Sequence, residues 1–257
     1  MLGKLLKYDL RYIYKVLGAY YLISISSVAL SALLSKIEYP PYFIDFIEGF
    51  LANAGFGLSI GLMITTFTRT WMRFRQSLYG DESYLTHTLP VSRLQLFTSK
   101  FICAIIVLLL SLVVAALVLL LYASSFSNFD IGALFADLSV TSFIIILGLL
   151  VIVQSIFIIM CGFSGIIIGR RFNNTPGPIS FIAGLGCYLI TGGLLIGIIH
   201  LFSNFDPELA AVFTHGHQPD LPTIINCVWI CIATYTIATA TLFVVNVNLL
   251  NRGVNVE

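Results

Sequence analysis

Residues 101–123 read FICAIIVLLLSLVVAALVLLLYA. No charged side chain interrupts this run of 23 residues. At about 1.5 Å per residue, a helix of that length crosses a hydrocarbon core of roughly 30 Å. A helix at the surface of a soluble domain is apolar on one stripe only. This stretch is apolar on every side, so its solvent is lipid. The rest of the chain agrees: of 257 residues, 58% are apolar and 10% are charged. Soluble domains carry about 25% charged residues to keep their surface in water. The composition therefore describes an all-α integral membrane protein and excludes a soluble enzyme, a disordered hub and a disulfide-stapled secreted domain. The net charge of +1 and the lack of a basic run interleaved with aromatics give nucleic-acid binding no footing.

Working outward from residues 101–123, stretches of similar character predict six spans, at about residues 16–34, 46–68, 101–123, 141–168, 179–201 and 224–249. The second is diluted by Asn53, Gly55, Gly57, Ser59 and Gly61, but without it residues 69–100 would fall on the wrong side of the membrane. The runs are long and lack period-2 alternation, which selects helices over an outer-membrane barrel. Of the 13 basic residues, Lys36 alone falls on one face. Lys4, Lys7, Arg11, Lys15, Arg69, Arg73, Arg75, Arg93, Lys100, Arg170, Arg171 and Arg252 share the other, which the positive-inside rule makes cytoplasmic. Both termini are expected there, in a multi-pass membrane protein.

The N-terminus lacks the small-residue cleavage site of a signal peptide, and Asp9 and Arg11 interrupt its start. On a helix, Lys4, Lys7, Arg11 and Lys15 fall within one narrow arc, and Leu2, Leu5, Leu6, Leu10, Ile13 and Leu17 lie opposite. The pattern predicts a helix lying in the interface with its lysines near anionic headgroups. The alternative is a cytoplasmic extension of the first span. Cys103, Cys161, Cys187, Cys227 and Cys231 all fall within spans, so no disulfide framework is indicated. Cys227 and Cys231 share a helix face but bring no acidic or histidine partner, and packing is the expected role.

Residues 69–100 make the longest connection on the basic side. Helix is expected to continue from the second span to about Tyr79, where Gly80 stops it. Asp81 occupies an N-cap position with Glu82 beside it, predicting a short helix that ends before Pro90. Ser92 and Gln95 form a capping-box pattern leading into the third span. Tyr84, Leu85, His87 and Leu89 would give the short helix a mixed apolar and polar surface. A plain turn needs only about 2–8 residues, and a segment with its own start and stop signals reads better as a docking piece.

The segment GDESYLTHTLPVS, residues 80–92, resembles the cytoplasmic loop of bacterial type-2 ATP-binding-cassette (ABC) permeases, and the opening MLGKLLKYDL is similar to their N-terminal elbow helix. In that family six spans form a half-transporter, two halves pair, and separate ATPase subunits bind beneath them. The resemblance implies that Gly80, Asp81, Glu82, Tyr84, Leu85, His87 and Leu89 belong to a coupling helix seated on the ATPase. It implies that the segment holding Lys4, Lys7, Arg11 and Lys15 is the elbow. The partners would be cytoplasmic ABC ATPase subunits, a second permease copy or sister permease, and membrane lipids. ATP and Mg would sit on the partner subunit. This chain has no Gly-x-x-x-x-Gly-Lys-Ser/Thr loop to cradle phosphates, so it would be neither the ATPase nor otherwise an enzyme.

No span carries Asp, Glu, Lys or Arg near its centre, which argues against ion-driven transport and fits a permease energised from outside. Gln154 is the most central polar residue, a candidate for the pathway or for helix–helix bonding; Asn53, Asn226, Asn246, Asn248 and His200 lie nearer span ends. Gly57/Gly61, Gly165/Gly169 and Gly193/Gly197 mark candidate close-packing faces, within the chain first and between chains second. His215 and His217 in an outer loop fall short of the three or four ligands of a zinc site. The function expected is export of an amphipathic or hydrophobic substrate, a peptide, drug or lipid. The competing expectation is a membrane-embedded immunity or sensory protein that binds a peptide or signalling partner without transporting.

Overall fold

The structure, a computed structural model, describes residues 2–37, 41–80, 83, 92–126, 138–171, 176–205, 209–210 and 220–251. It contains six long helices: α1 (Leu2–Leu34), α2 (Tyr42–Tyr79), α3 (Arg93–Phe126), α4 (Leu138–Gly169), α5 (Pro176–Ser203) and α6 (Leu221–Asn251). All six are long and apolar enough to cross a membrane. Each predicted span lies inside one of them, and the described residues contain no strand. The chain forms two compact units, Met1–Ala136 and Asp137–Glu257.

In the first unit α1, α2 and α3 pack against one another. Their direction alternates: Asp9 near the start of α1 meets Arg73 near the end of α2 and Lys100 near the start of α3. At the far end, Tyr122 of α3 donates a hydrogen bond to Asn53 of α2 (3.4 Å), and the Tyr122 ring stacks on Phe56. Close approach of α1 and α2 depends on Gly55, where a Cβ would stand 2.0 Å from Val28 Cγ2.

The N-terminal segment is continuous with the first span rather than a separate helix. α1 runs unbroken from Leu2 to Leu34, the extension that the sequence left as the alternative. The reason is a buried seam at Asp9, Ile13, Leu17, Tyr21, Ser24, Val28 and Ser31, which keeps one phase along the whole helix. Steps of three and four residues hold these side chains on one face. Ile13, Leu17, Tyr21 and Val28 join Leu62 of α2 and Cys103, Val107, Val114 and Val118 of α3 in one apolar core. Tilting the first four turns into the interface would strip this packing.

In the second unit α4 packs against both α5 and α6. A Cβ at Gly165 would lie 2.3 Å from the Ser180 carbonyl oxygen, and one at Gly169 would lie 2.0 Å from Ser180 Oγ. Gly165/Gly169 is therefore an intrachain packing face. A Cβ at Gly57, Gly61, Gly193 or Gly197 would meet no described atom within 4 Å. Phe157 of α4 lies 5.2 Å from Tyr235 of α6 and 6.2 Å from Tyr188 of α5, centroid to centroid, with Cys161 in the same core and Cys187 and Cys231 packed against it. All five cysteines are free thiols.

Candidate functional site

Three helix segments extend beyond their uncharged stretches at one end of the first unit: α1 up to Lys15, α2 from Arg69 and α3 up to Lys100. Together they form a short bundle at the base of the connection between α2 and α3. Phe74 and Phe97 meet edge to face at 6.0 Å, and both are fully buried. Leu78, Leu96 and Ile13 are buried on the same three segments.

Among these apolar residues sits one carboxylate. Arg73 Nε donates to Asp9 Oδ1 at 2.7 Å, and Lys100 Nζ donates to Asp9 Oδ2 at 2.5 Å. Side-chain exposures of 2% for Asp9, 5% for Lys100 and 11% for Arg73 place all three charges out of bulk water. Removing an ion from water costs several kcal/mol after relaxation, and here charge-assisted hydrogen bonds to both carboxylate oxygens offset that cost. The Arg73 guanidinium also lies over the Tyr12 ring, 4.7 Å from its centroid, and the Tyr12 hydroxyl donates to Gln76 Oε1 at 3.0 Å. One acid from α1 thus fixes α2 and α3 relative to α1 and to each other.

A second polar tie crosses the same helices. Tyr21 Oη, Ser111 Oγ and Thr66 Oγ1 are linked by hydrogen bonds of 2.8 Å each. Each hydroxyl has one proton to give. Two backbone carbonyls compete for these protons: Ser111 Oγ lies 2.9 Å from the Val107 oxygen and Thr66 Oγ1 2.8 Å from the Leu62 oxygen. The hydroxyl tie lies about 18 Å along α1 from the charged one.

The connection itself is bracketed as the sequence predicts. α2 ends at Tyr79, and the Gly80 N–H donates to the Gln76 carbonyl at 3.1 Å. Gly80 has φ −98° and ψ −167°, an extended conformation, so the stop does not use the left-handed geometry typical of glycine caps. Ser83, with its backbone N–H donating to the Gly80 carbonyl at 2.8 Å, is buried. At the other side the capping box forms: the Ser92 N–H donates to Gln95 Oε1 and the Gln95 N–H to Ser92 Oγ, both at 3.3 Å. Asp81, Glu82, Tyr84, Leu85, His87 and Leu89 lie outside the described residues.

Lys7, Arg11 and Lys15 are exposed on the side of α1 away from its seam, and the side chain of Lys4 lies outside the description. Gln154 is partly buried on α4, in the second unit. Asn53 and Asn246 serve as helix ties: Asn246 Nδ2 donates to Ser164 Oγ at 3.0 Å, joining α6 to α4. No group of three or more His, Cys, Asp or Glu that could hold a metal occurs among the described residues.

Asp9 is the residue that sequence reasoning passed over, treating it as an interruption. Its signal lies in the seam: Asp9 is the first member of the series continued by Ile13, Leu17 and Tyr21. An acid in an apolar seam needs cations from the facing helices. Arg73 and Lys100, read at first only as topology signals, supply them.

Compared with protein-family models, with curated proteins and with solved structures, the chain matches none. Its function must be read from its residues and their geometry.

Proposed function

We propose that this chain is the membrane-spanning permease subunit of an ATP-driven exporter, working with a separate ABC ATPase and a second permease copy or a sister chain. The observation that carries the reading is the bracketed connection at residues 80–92, with a helix stop before it, a helix start after it and flanking helices clamped through Asp9. A partner that pushes on a floppy loop moves only the loop. A partner that pushes on this connection moves α2 and α3 together, and the Asp9 ion pairs carry the displacement into α1.

In this reading the basic end of the first unit is cytoplasmic, and Tyr84, Leu85, His87 and Leu89 seat in a cleft of the ATPase beside Asp81 and Glu82. ATPase closure biases the permease between inward-open and outward-open states through contacts that differ between the two. The cargo would be amphipathic or hydrophobic, because the spans offer apolar and aromatic surface without a central charge.

The test is a mild-detergent pull-down of the chain from its native membrane, followed by an ATPase assay. The expected result is a co-purifying protein of ATPase size whose activity in the complex is lost on Leu85→Asp. A chain free of ATPase, under conditions that preserve other membrane complexes, would sink the proposal.

A further inference from the structure

We infer that the exposed stripe Lys7, Arg11 and Lys15 on α1 is a binding surface for anionic phospholipid headgroups. Three observations carry this. All three side chains are exposed, and none has an acidic partner among the described residues. Asp9, the acid nearest to them in sequence, is turned into the seam and occupied by Arg73 and Lys100, so it does not neutralise the stripe. Exposed Arg75 and partly buried Arg69 on α2 extend the same cationic collar, whereas the opposite end of the unit carries Asp45 and Glu48.

The continuity of α1 sets the depth of each charge. Residues 16–34 hold no charge and rise about 28 Å, close to the thickness of a hydrocarbon core. Lys15 therefore stands at the edge of that core, Arg11 about 6 Å beyond it and Lys7 about 12 Å beyond it. A headgroup layer is roughly 5–7 Å deep on each side. Lys15 and Arg11 consequently reach lipid phosphates directly, while Lys7 lies past them and acts through the diffuse field. A helix lying flat in the interface would use all three equally. The upright α1 ranks them.

The experiment titrates the full chain, purified in mild detergent, with phosphatidylglycerol and separately with phosphatidylcholine of the same acyl chains, counting retained lipid by native mass spectrometry. The expected result is preferential retention of phosphatidylglycerol that weakens as salt rises. Each basic residue at an anionic surface is worth about fivefold, so Arg11→Gln with Lys15→Gln should weaken phosphatidylglycerol retention roughly thirtyfold. Lys7→Gln should change it less than either of those single variants, Arg11→Lys should keep it, and Lys36→Gln at the opposite end should leave it unchanged. Should the double variant insert poorly, Lys15→Gln alone is expected to show its fivefold share. Retention equal to the parent in correctly folded Arg11 and Lys15 variants overturns the inference. So does unchanged lipid binding together with loss of an acidic co-purifying protein, which would make the stripe a protein-docking surface.

Discussion

Asp9 holds two cations, Arg73 and Lys100, from two other helices. Replacing it with Asn keeps the shape but leaves Lys100 buried without its anion. Stranding a buried charge costs about 3–5 kcal/mol, so Asp9→Asn should lower resistance to SDS-induced unfolding by that amount. Adding Lys100→Met should restore part of the loss, because it removes the stranded cation. Tyr21→Phe offers the contrast. It breaks the bond to Ser111, but a hydrogen bond between membrane helices is worth only about 0.6 kcal/mol on average. The same assay should therefore separate the two variants by several-fold in ΔΔG. Equal effects would mean that the ion pairs carry no special weight. Asp9 was legible in the sequence as a phase anomaly, an acid in line with Ile13, Leu17 and Tyr21. Its partners were not legible, because nothing in a single sequence says which of 13 basic residues faces a given carboxylate.

For single elements, the useful contrast is between glycine pairs that look alike on paper. Gly165→Ala places a methyl 2.3 Å from the Ser180 carbonyl and must push α4 and α5 apart. Overpacking of this kind costs about 1–3 kcal/mol. Gly193→Ala meets open space and should stay within about 0.5 kcal/mol of the parent. Unfolding midpoints of the two variants in mixed micelles check this, and equal shifts would contradict the packing described for α4 and α5. At the start of α3, Ser92→Ala removes one arm of the capping box and should cost about 1 kcal/mol. The loss should be seen as faster amide exchange in the first turn of α3, with no change further along the helix. Local signals were sufficient for this element: a stop at Tyr79 and a start at Ser92 follow from residues within one turn of each boundary. For α1 they were insufficient. The lysine stripe by itself predicts an interfacial helix, with extension of the first span as the alternative, and packing of α1 along α2 and α3 accompanies one continuous helix.

Across the whole molecule, six helices are long and apolar enough to cross a membrane, and the distribution of lysine and arginine predicts cytoplasmic termini. Green fluorescent protein fused to either terminus should fluoresce in a bacterial host, and alkaline phosphatase fused between α3 and α4 should be active. A terminal fusion on the outer side would reverse the orientation and with it the proposed docking end. By itself the sequence determined the membrane class, the six apolar spans and the boundaries of the connection at residues 80–92. Transfer into lipid is a sum of local terms over about 20 residues, and helix caps are set within a turn, so both can be read along a line. Tertiary structure alone decided that Asp9 binds Arg73 and Lys100, that Gly165/Gly169 packs within the chain, and that α1 stands unbroken. Those outcomes depend on the rotation of each helix about its axis and on its register against its neighbours. A shift of a few ångströms there exchanges one partner for another while leaving the hydropathy of every span unchanged.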